Sequence, residues 1–488
     1  MLKKLLSHSA IYGLAPQLPQ VANLFILPII TQDLTTTDYG VAGVVYAYLA
    51  ALEAFQFLGL RLSLSNGYFH HKMQYKWLWR QIHGFVSLWS ILFAVIVGLI
   101  LYVGIPDEAV ENRPLIILLH IIPIILFNVS SECGRLYYQL SQNPVPLAVQ
   151  VALVGFIMVF MNLYLISYQQ MGYMGWFWSR FTGAFISFLF FFYPLYIKRK
   201  LIPIFNFKWR LIKEKLKLAL PMIPHSYGSY LLHASDRVVL DLLQVNVSRI
   251  GIYNLAGNFG NYFNAFVNGS GMAADPMIAE YYKNLPRKTG FSITRDFIFL
   301  WQVLILIFSF LVCLWFKEIF SILIRNDELQ EAYALAIIVI MSYNYRPLYA
   351  GFTTKLFYYE KTDKLWRISF GAGVINVLLN LAFIPFFGIE AAAISTFISF
   401  LLLGILGYYL KEYKAMEDEN YFPLLWALGI SLCTLVVFYL KDIFWAYKIS
   451  ISLVILGASL YWAIKNKAFL QNFDLQEQLN KINQIGKN

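Results

Sequence analysis

The chain has 488 residues, of which 59% are hydrophobic and 18% aromatic, while only 13% are charged. A soluble domain carries about 25% charged residues, so the composition excludes a water-soluble globular protein and points to an all-α polytopic membrane protein. The net charge of +11 does not call for nucleic acid as a partner, because the basic residues sort by side of the membrane.

A helix needs about 20 apolar residues to cross the hydrocarbon. By that measure about fourteen spans are predicted, at roughly 9–31, 38–60, 81–103, 114–138, 146–167, 172–196, 217–240, 250–275, 295–316, 331–354, 368–387, 389–410, 421–440 and 444–464. Met1–Ala10 is short, polar and basic and runs straight into the first span, unlike a removable signal. Alternate connections, counted from the N-terminus, then collect most of the 38 Lys and Arg residues. Lys72, Lys76, Arg80, the Lys198–Lys217 cluster, Lys283, Arg287 and Lys288 fall on that side. The opposite side receives Arg113, Arg249, Lys317, Arg325, Lys441 and Lys448. This asymmetry predicts a multi-pass membrane protein with both termini cytoplasmic.

Two six-helix lobes are expected, at 1–197 and 217–412, joined by a basic amphipathic linker at 198–216 that lies in the interface plane. Helices 13 and 14 (413–465) form an appendage, and 466–488 a cytoplasmic tail. Landmarks recur in the two lobes. Pro16 and Pro19 in the first span are matched by Pro221 and Pro224 in the seventh. With Gly40 placed on Gly251, Ala54-Phe55 falls on Ala265-Phe266. An even number of spans per lobe implies a pseudo-two-fold axis along the membrane normal. The prolines bend their helices, as a hinge or as an ordinary packed kink.

Polar residues run in files. Asn254, Asn258, Asn261, Asn264 and Asn268 are spaced by four, three, three and four residues, which places them within an arc of roughly 120° on one helical face. His225, Ser229, His233 and Asp236 share a face by the same arithmetic. An unpaired amide in lipid costs several kcal/mol, so these files line a wet interior or bond neighbouring helices. Amides suit sugar hydroxyls, since they donate and accept. Glu53, Arg180 and Arg346 lie deep in their spans. The two arginines either grip an anionic group such as phosphate or form an internal ion pair with Glu53. Arg61, Arg135 with Glu132, and Asp236 with Arg237 lie nearer span ends and are candidates for the cavity mouth. His225 and His233 either titrate or simply satisfy neighbours.

Cys133, Cys313 and Cys433 all lie in apolar segments, with no metal-ligand spacing. No P-loop, dinucleotide fingerprint, Gly-x-Ser-x-Gly elbow or His-Glu-x-x-His is present. No enzymatic activity, cofactor or metal is expected.

Leu218-Ala219-Leu220-Pro221-Met222-Ile223-Pro224, Ser235-Asp236-Arg237, Gly251-Ile252-Tyr253-Asn254-Leu255-Ala256 and Asp38-Tyr39-Gly40-Val41-Ala42 together carry a resemblance. The chain resembles the polysaccharide-biosynthesis flippases, the O-antigen (Wzx-like) branch of the multidrug/oligosaccharidyl-lipid/polysaccharide exporter superfamily. The resemblance implies a MATE-like fold and alternating access. The cargo it implies is a polyprenyl-diphosphate-linked oligosaccharide, an O-antigen or other surface polysaccharide unit of the lipopolysaccharide type, moved to the periplasmic leaflet. Lipid-linked oligosaccharide, membrane lipids and other polysaccharide-assembly proteins are the implied partners. A multidrug cation antiporter, with Glu53 as its coupling acid, and a lipid II flippase are the alternatives within the superfamily. An O-antigen polymerase is disfavoured, since no external loop is long enough for a catalytic domain.

Overall fold

The computed structural model describes residues 17–70, 74–361, 365–416 and 419–473, without the side chains of Met222, His225, Ser226 and Ala468. Pro16, Lys72 and most of the expected tail 466–488 lie outside the described residues. Among the described residues the chain is all helix, with no strand. Nine helical stretches there are long and apolar enough to cross a membrane. The expectation of about fourteen is not met by that measure, for identifiable reasons. The Asn file lowers the apolarity of Val247–Asn284. A tight turn at Leu220–Met222 and a break at Ala234 divide 217–240. Tyr343–Tyr345 divides 331–354. One stretch, Leu365–Tyr409, contains Gly388 at φ 61°, ψ −140°, a non-helical break between its two halves.

Contacts group the chain into two compact units: Met1–Leu255 with Ile322–Glu331 and Val377–Ile389, and Ala256–Ser321 with Ala332–Asn376 and Glu390–Asn488. These boundaries differ from the expected lobes at 1–197 and 217–412.

The first unit contains α1 (Gln17–Ile30), α2 (Thr36–Gln56), α3 (Arg61–His70), α4 (Tyr75–Gly104), α5 (Arg113–Leu126), α6 (Asn128–Leu140), α7 (Pro144–Asn162) and α8 (Tyr173–Phe192). It continues through the linker helix α9 (Trp209–Ala219), α10 (Ile223–His233), α11 (Ser235–Leu242) and the first residues of α12 (Val247–Asn284). Helix α2 starts with a capping box: Asp38 N donates to Thr35 Oγ1 at 3.1 Å and Thr35 N donates to Asp38 Oδ2 at 2.8 Å. Asp38 Oδ1 also accepts from Tyr173 N at 2.8 Å, so α2 and α8 begin at the same end of the unit. Gly172, at φ 54°, makes the turn that delivers Tyr173 there.

The starts of α2 and α12 cross in close contact. A side chain on Gly40 would meet Val247 O, and one on Gly251 would meet Thr36 O, so neither position has room for a Cβ. This approach is why α10, α11 and the start of α12 group with the N-terminal helices. Two apolar clusters support the unit. One gathers Val41, Val45, Phe93, Val97 and Phe177, and the other Leu60, Leu64, Trp79, Ile82 and Ile212. On α2, Leu49 and Leu52 pack against the first cluster, while Ala50, Glu53 and Ala54 face a different surface. Helix α9 seats Ile212 and Ala219 inward, while Lys213 and Lys217 stay exposed.

The second unit contains most of α12, α13 (Arg287–Leu314) and most of α14 (Phe316–Leu323). The short α15 (Asp327–Gln330) returns to the first unit. Next come α16 (Ala332–Ser342), α17 (Arg346–Tyr358) and α18 (Leu365–Leu406), then α19 (Lys411–Lys414), α20 (Pro423–Leu440), α21 (Trp445–Lys465) and α22 (Lys467–Gln471). Helix α13 packs on α16, α17 and α20. Helix α21 is fastened by Lys448, fully buried, which donates to Glu318 at 2.7 and 2.8 Å and to Lys441 O at 2.7 Å. A buried ammonium so fully paired costs little, whereas removing Glu318 would leave it stranded.

Candidate functional site

Within the first unit lies a cavity of about 700 Å³. Its walls follow from helical periodicity. Helix α2 contributes Ala50, Glu53 and Ala54, followed by Phe57; α6 contributes Asn128, Ser131, Glu132 and Arg135; α8 contributes Arg180, Gly183, Ala184 and Ser187. Each set is spaced i, i+3, i+4, i+7, one stripe of an α-helix. Helix α7 adds Gln150, Val154 and Met158, and α10 adds Tyr227, Ser229, Tyr230 and His233. Small residues beside the charged ones (Ala54, Gly183, Ala184) leave the hollow.

Three arginines and two carboxylates line it. Arg61 follows a left-handed turn at Leu58 and Gly59 (φ 49° and 72°), where Gly59 lies against Ala219 O with no room for a Cβ. That turn aims Arg61 Nη2 at Glu132 Oε1, 2.6 Å away, while Arg135 Nη1 lies 3.6 Å from Glu132 Oε2. Arg180 is accessible and makes no ion pair among the described residues. Its guanidinium lies 4.9 Å from the ring centroid of Tyr46, which Phe177 holds edge-on at 5.5 Å. Glu53 is also accessible and without an ion pair among the described residues. Because α2 and α8 start together, a rise of 1.5 Å per residue puts Arg180 roughly 10 Å and Glu53 roughly 25 Å from that end. Arg61 lies farther still. Arg180 and the Arg61–Arg135 pair thus lie at different depths along the cavity wall.

Several candidates from the sequence meet here: Glu53, Arg180, Ser229 and His233, with Arg61 and Arg135. The side chain of His225 lies outside the described residues. Others are placed elsewhere. Asp236 and Arg237 were expected at a mouth, but they are only 1% and 7% exposed. Asp236 accepts from Tyr253 OH and, at 2.8 Å, from Asn380 Nδ2. Arg237 Nε donates to Asn254 Oδ1 at 2.9 Å. Asn254 in turn donates to Tyr39 O at 3.0 Å and fills the space left by Gly43. It therefore bonds helices together and does not line the cavity. Asn258, Asn261, Asn264 and Asn268 belong to the second unit, where Asn261 and Asn268 are exposed and Asn258 and Asn264 half-buried. Arg346 is also in the second unit, half-buried, with its guanidinium 5.4 Å from the Phe400 centroid. The first unit's cavity therefore contains Arg180 but not Arg346.

Of the α6 stripe, sequence reasoning named Arg135 and Glu132 but not Asn128 and Ser131, and it did not name Gln56, Gln150 or Ser187. The i, i+3, i+4, i+7 arithmetic that located the asparagines would have found the stripe. Gln150 Nε2 donates to Ser187 Oγ at 3.1 Å, a pairing of α7 with α8 that no local pattern reveals.

The model of the family described as polysaccharide biosynthesis protein matches residues 5–282. A search of curated proteins finds no match. Among solved structures, the lipid II flippase MurJ in an inward closed conformation is similar with a TM-score of 0.71 at 13% identity, covering 94% of this chain and 99% of that one. An inward-facing multidrug resistance MATE family transporter of the MOP superfamily is similar with a TM-score of 0.60 at 13% identity, over 86% of this chain and 95% of that one. An outward-facing MATE transporter gives 0.55 at 14% identity, over 86% and 97%. At such identities the likeness is one of fold, and it agrees with the all-helical, multi-pass architecture expected from the sequence. With the family model matched over more than half its length, the chain belongs to the polysaccharide biosynthesis protein family.

Proposed function

We propose that the protein is a flippase that moves a polyprenyl-diphosphate-linked oligosaccharide from the cytoplasmic to the periplasmic leaflet of a bacterial inner membrane by alternating access. The observation that carries this reading is Arg180. An arginine well inside the hydrocarbon costs a few kcal/mol on insertion scales unless it meets water or an anion. Here it is accessible in a cavity and makes no carboxylate pair among the described residues. A guanidinium presents donors in a fork that matches phosphate oxygens, and Arg61 and Arg135 repeat that chemistry farther along the wall. Gln56, Asn128, Gln150 and Ser187 supply uncharged donors and acceptors of the kind sugar hydroxyls need. The polyprenyl tail would stay in lipid while the head group occupies the cavity. In this reading Ser229 and His233 line the route. Asn258, Asn261, Asn264, Asn268 and Arg346, all in the second unit, are of residue types suited to the same head group. Both termini would be cytoplasmic, and other polysaccharide-assembly proteins would supply and remove the cargo.

The test is export of surface glycan in a deletion strain carrying Arg180→Ala or Arg346→Ala, with protein abundance measured alongside. Lost export at normal abundance for Arg180→Ala supports the reading. Export retained at wild-type rate sinks it.

One observation favours a second reading. Glu53 is a cavity carboxylate without an ion pair among the described residues, the feature a multidrug cation antiporter would need. Drug resistance conferred on a sensitive host, without glycan export, would select that reading. The MurJ-like fold also admits lipid II as cargo, which would make the gene essential.

A further inference from the structure

Glu132 is the one carboxylate in the cavity that touches two arginines. It reaches Arg61 at 2.6 Å and Arg135 at 3.6 Å. Its own side chain is only 13% exposed, while those of Arg61 and Arg135 are 55% and 47% exposed. The carboxylate is therefore the more buried partner, and both arginines line the hollow with much of their side chains accessible. A guanidinium has five N–H groups, so one contact each to Glu132 leaves ample capacity for a further anion. Two cations side by side repel, and an anion between them relieves that repulsion. Arg61 is further steadied by Phe57, whose ring centroid lies 5.9 Å from its guanidinium.

The geometry points to Glu132 as a resident counter-anion. It holds the Arg61–Arg135 pair ready while the cavity is empty, gives way to the diphosphate of the cargo, and reclaims both guanidiniums as the cargo departs. This role rests on the flippase reading above. Its consequence is a split between affinity and turnover. An anion that competes with cargo for the same two guanidiniums weakens binding and speeds release. Arg180, with no carboxylate on it among the described residues, has no such competitor. Cargo gripped first at the Arg61–Arg135 pair is therefore biased to move inward toward Arg180. Glu53 lines the same cavity without touching either guanidinium and serves as the control for a plain change in charge.

The experiment uses the full chain in proteoliposomes, with undecaprenyl diphosphate as the binding probe and a short undecaprenyl-diphosphate oligosaccharide as the transport probe. Glu132→Gln is expected to bind undecaprenyl diphosphate about tenfold more tightly than wild type, with both KM and kcat of transport lowered. Glu132→Asp, which keeps the charge but is too short to span both arginines, shifts both in the same direction by less. Glu53→Gln tightens binding markedly less. Equal tightening by Glu53→Gln overturns the proposal, because net charge alone would then account for it. Unchanged or weaker binding by Glu132→Gln, with wild type binding normally, overturns it too. If Glu132→Gln does not fold, Glu132→Asp decides: binding no tighter than wild type overturns the proposal. Failure of the wild-type protein to bind undecaprenyl diphosphate at all would instead count against the flippase reading.

Discussion

Thr37 Oγ1 and Ser248 Oγ lie 3.0 Å apart, and in the register that places Gly40 on Gly251 these two residues are equivalents of each other. The same register pairs Thr36 with Val247, and the close contacts are reciprocal: Gly40 against Val247, Gly251 against Thr36. The helix starts obey it as well. Thr35 caps α2, and Asn246 Oδ1 accepts from Ser248 N at 2.9 Å at the start of α12. A contact in which each element presents the same patch to the other is isologous, the signature of a local two-fold axis. The weak internal similarity in the sequence is thus expressed as a physical contact.

The hydroxyl contact can be locked. Thr37→Cys with Ser248→Cys is expected to form a disulfide under oxidation, since side-chain atoms already within 3.0 Å place the Cβ atoms in reach. If these helix starts must part for release of cargo, oxidation stops export and reductant restores it. Export that continues with the crosslink quantitatively formed rules out such parting.

Gly251→Ala puts a methyl group against the Thr36 backbone carbonyl, which cannot rotate away as a side chain could. Overpacking of this kind costs about 1–3 kcal/mol. Lower thermal stability in detergent is expected, whereas Gly429→Ala, where a Cβ meets nothing within 4 Å, should be neutral.

The asparagine file divides by role. Asn254→Ala removes the acceptor of buried Arg237 Nε and the bond to Tyr39 O that ties α12 to α2, a loss of about 1–3 kcal/mol. It should reduce abundance and melting temperature together. Asn261→Ala, at an exposed position, should leave both unchanged, so that any loss of export there reports on cargo. Equal destabilisation by the two would contradict this division.

Asp442, in the loop between α20 and α21, has its carboxyl held down at about 2. Partial burial pushes it up, but hydrogen bonds from Lys317, Tyr333 and Lys441, with the charge of Lys441, outweigh that. The folded value is depressed below the ordinary value of about 3.9. The stabilisation is therefore present above about pH 4 and lost as pH falls through about 2. Since these groups are largely solvated, the effect is under about 1 kcal/mol. Asp442→Asn should lower the melting temperature slightly at pH 7, and the difference from wild type should shrink as the pH approaches 2.

Membrane class and helical content were legible in the sequence because each depends on local chemistry. Apolar length, helical period and the cost of a buried charge require no knowledge of neighbours. The roles of Asn254, Asp236 and Arg237 were not legible. Their periodicity puts them on a polar face, but whether that face meets water or another helix depends on Tyr39, Gly43 and Asn380, all more than a hundred residues away in sequence. The stripe on α6 shows the converse: its pattern was present, and only the pairing of Glu132 with Arg61 across the unit gives it meaning. Sequence by itself determined which residues share a helical face, since that follows from 3.6 residues per turn. Tertiary structure decided which faces close on one another and which enclose the cavity, because a polar side chain is satisfied equally well by water, by cargo or by a partner from a distant helix.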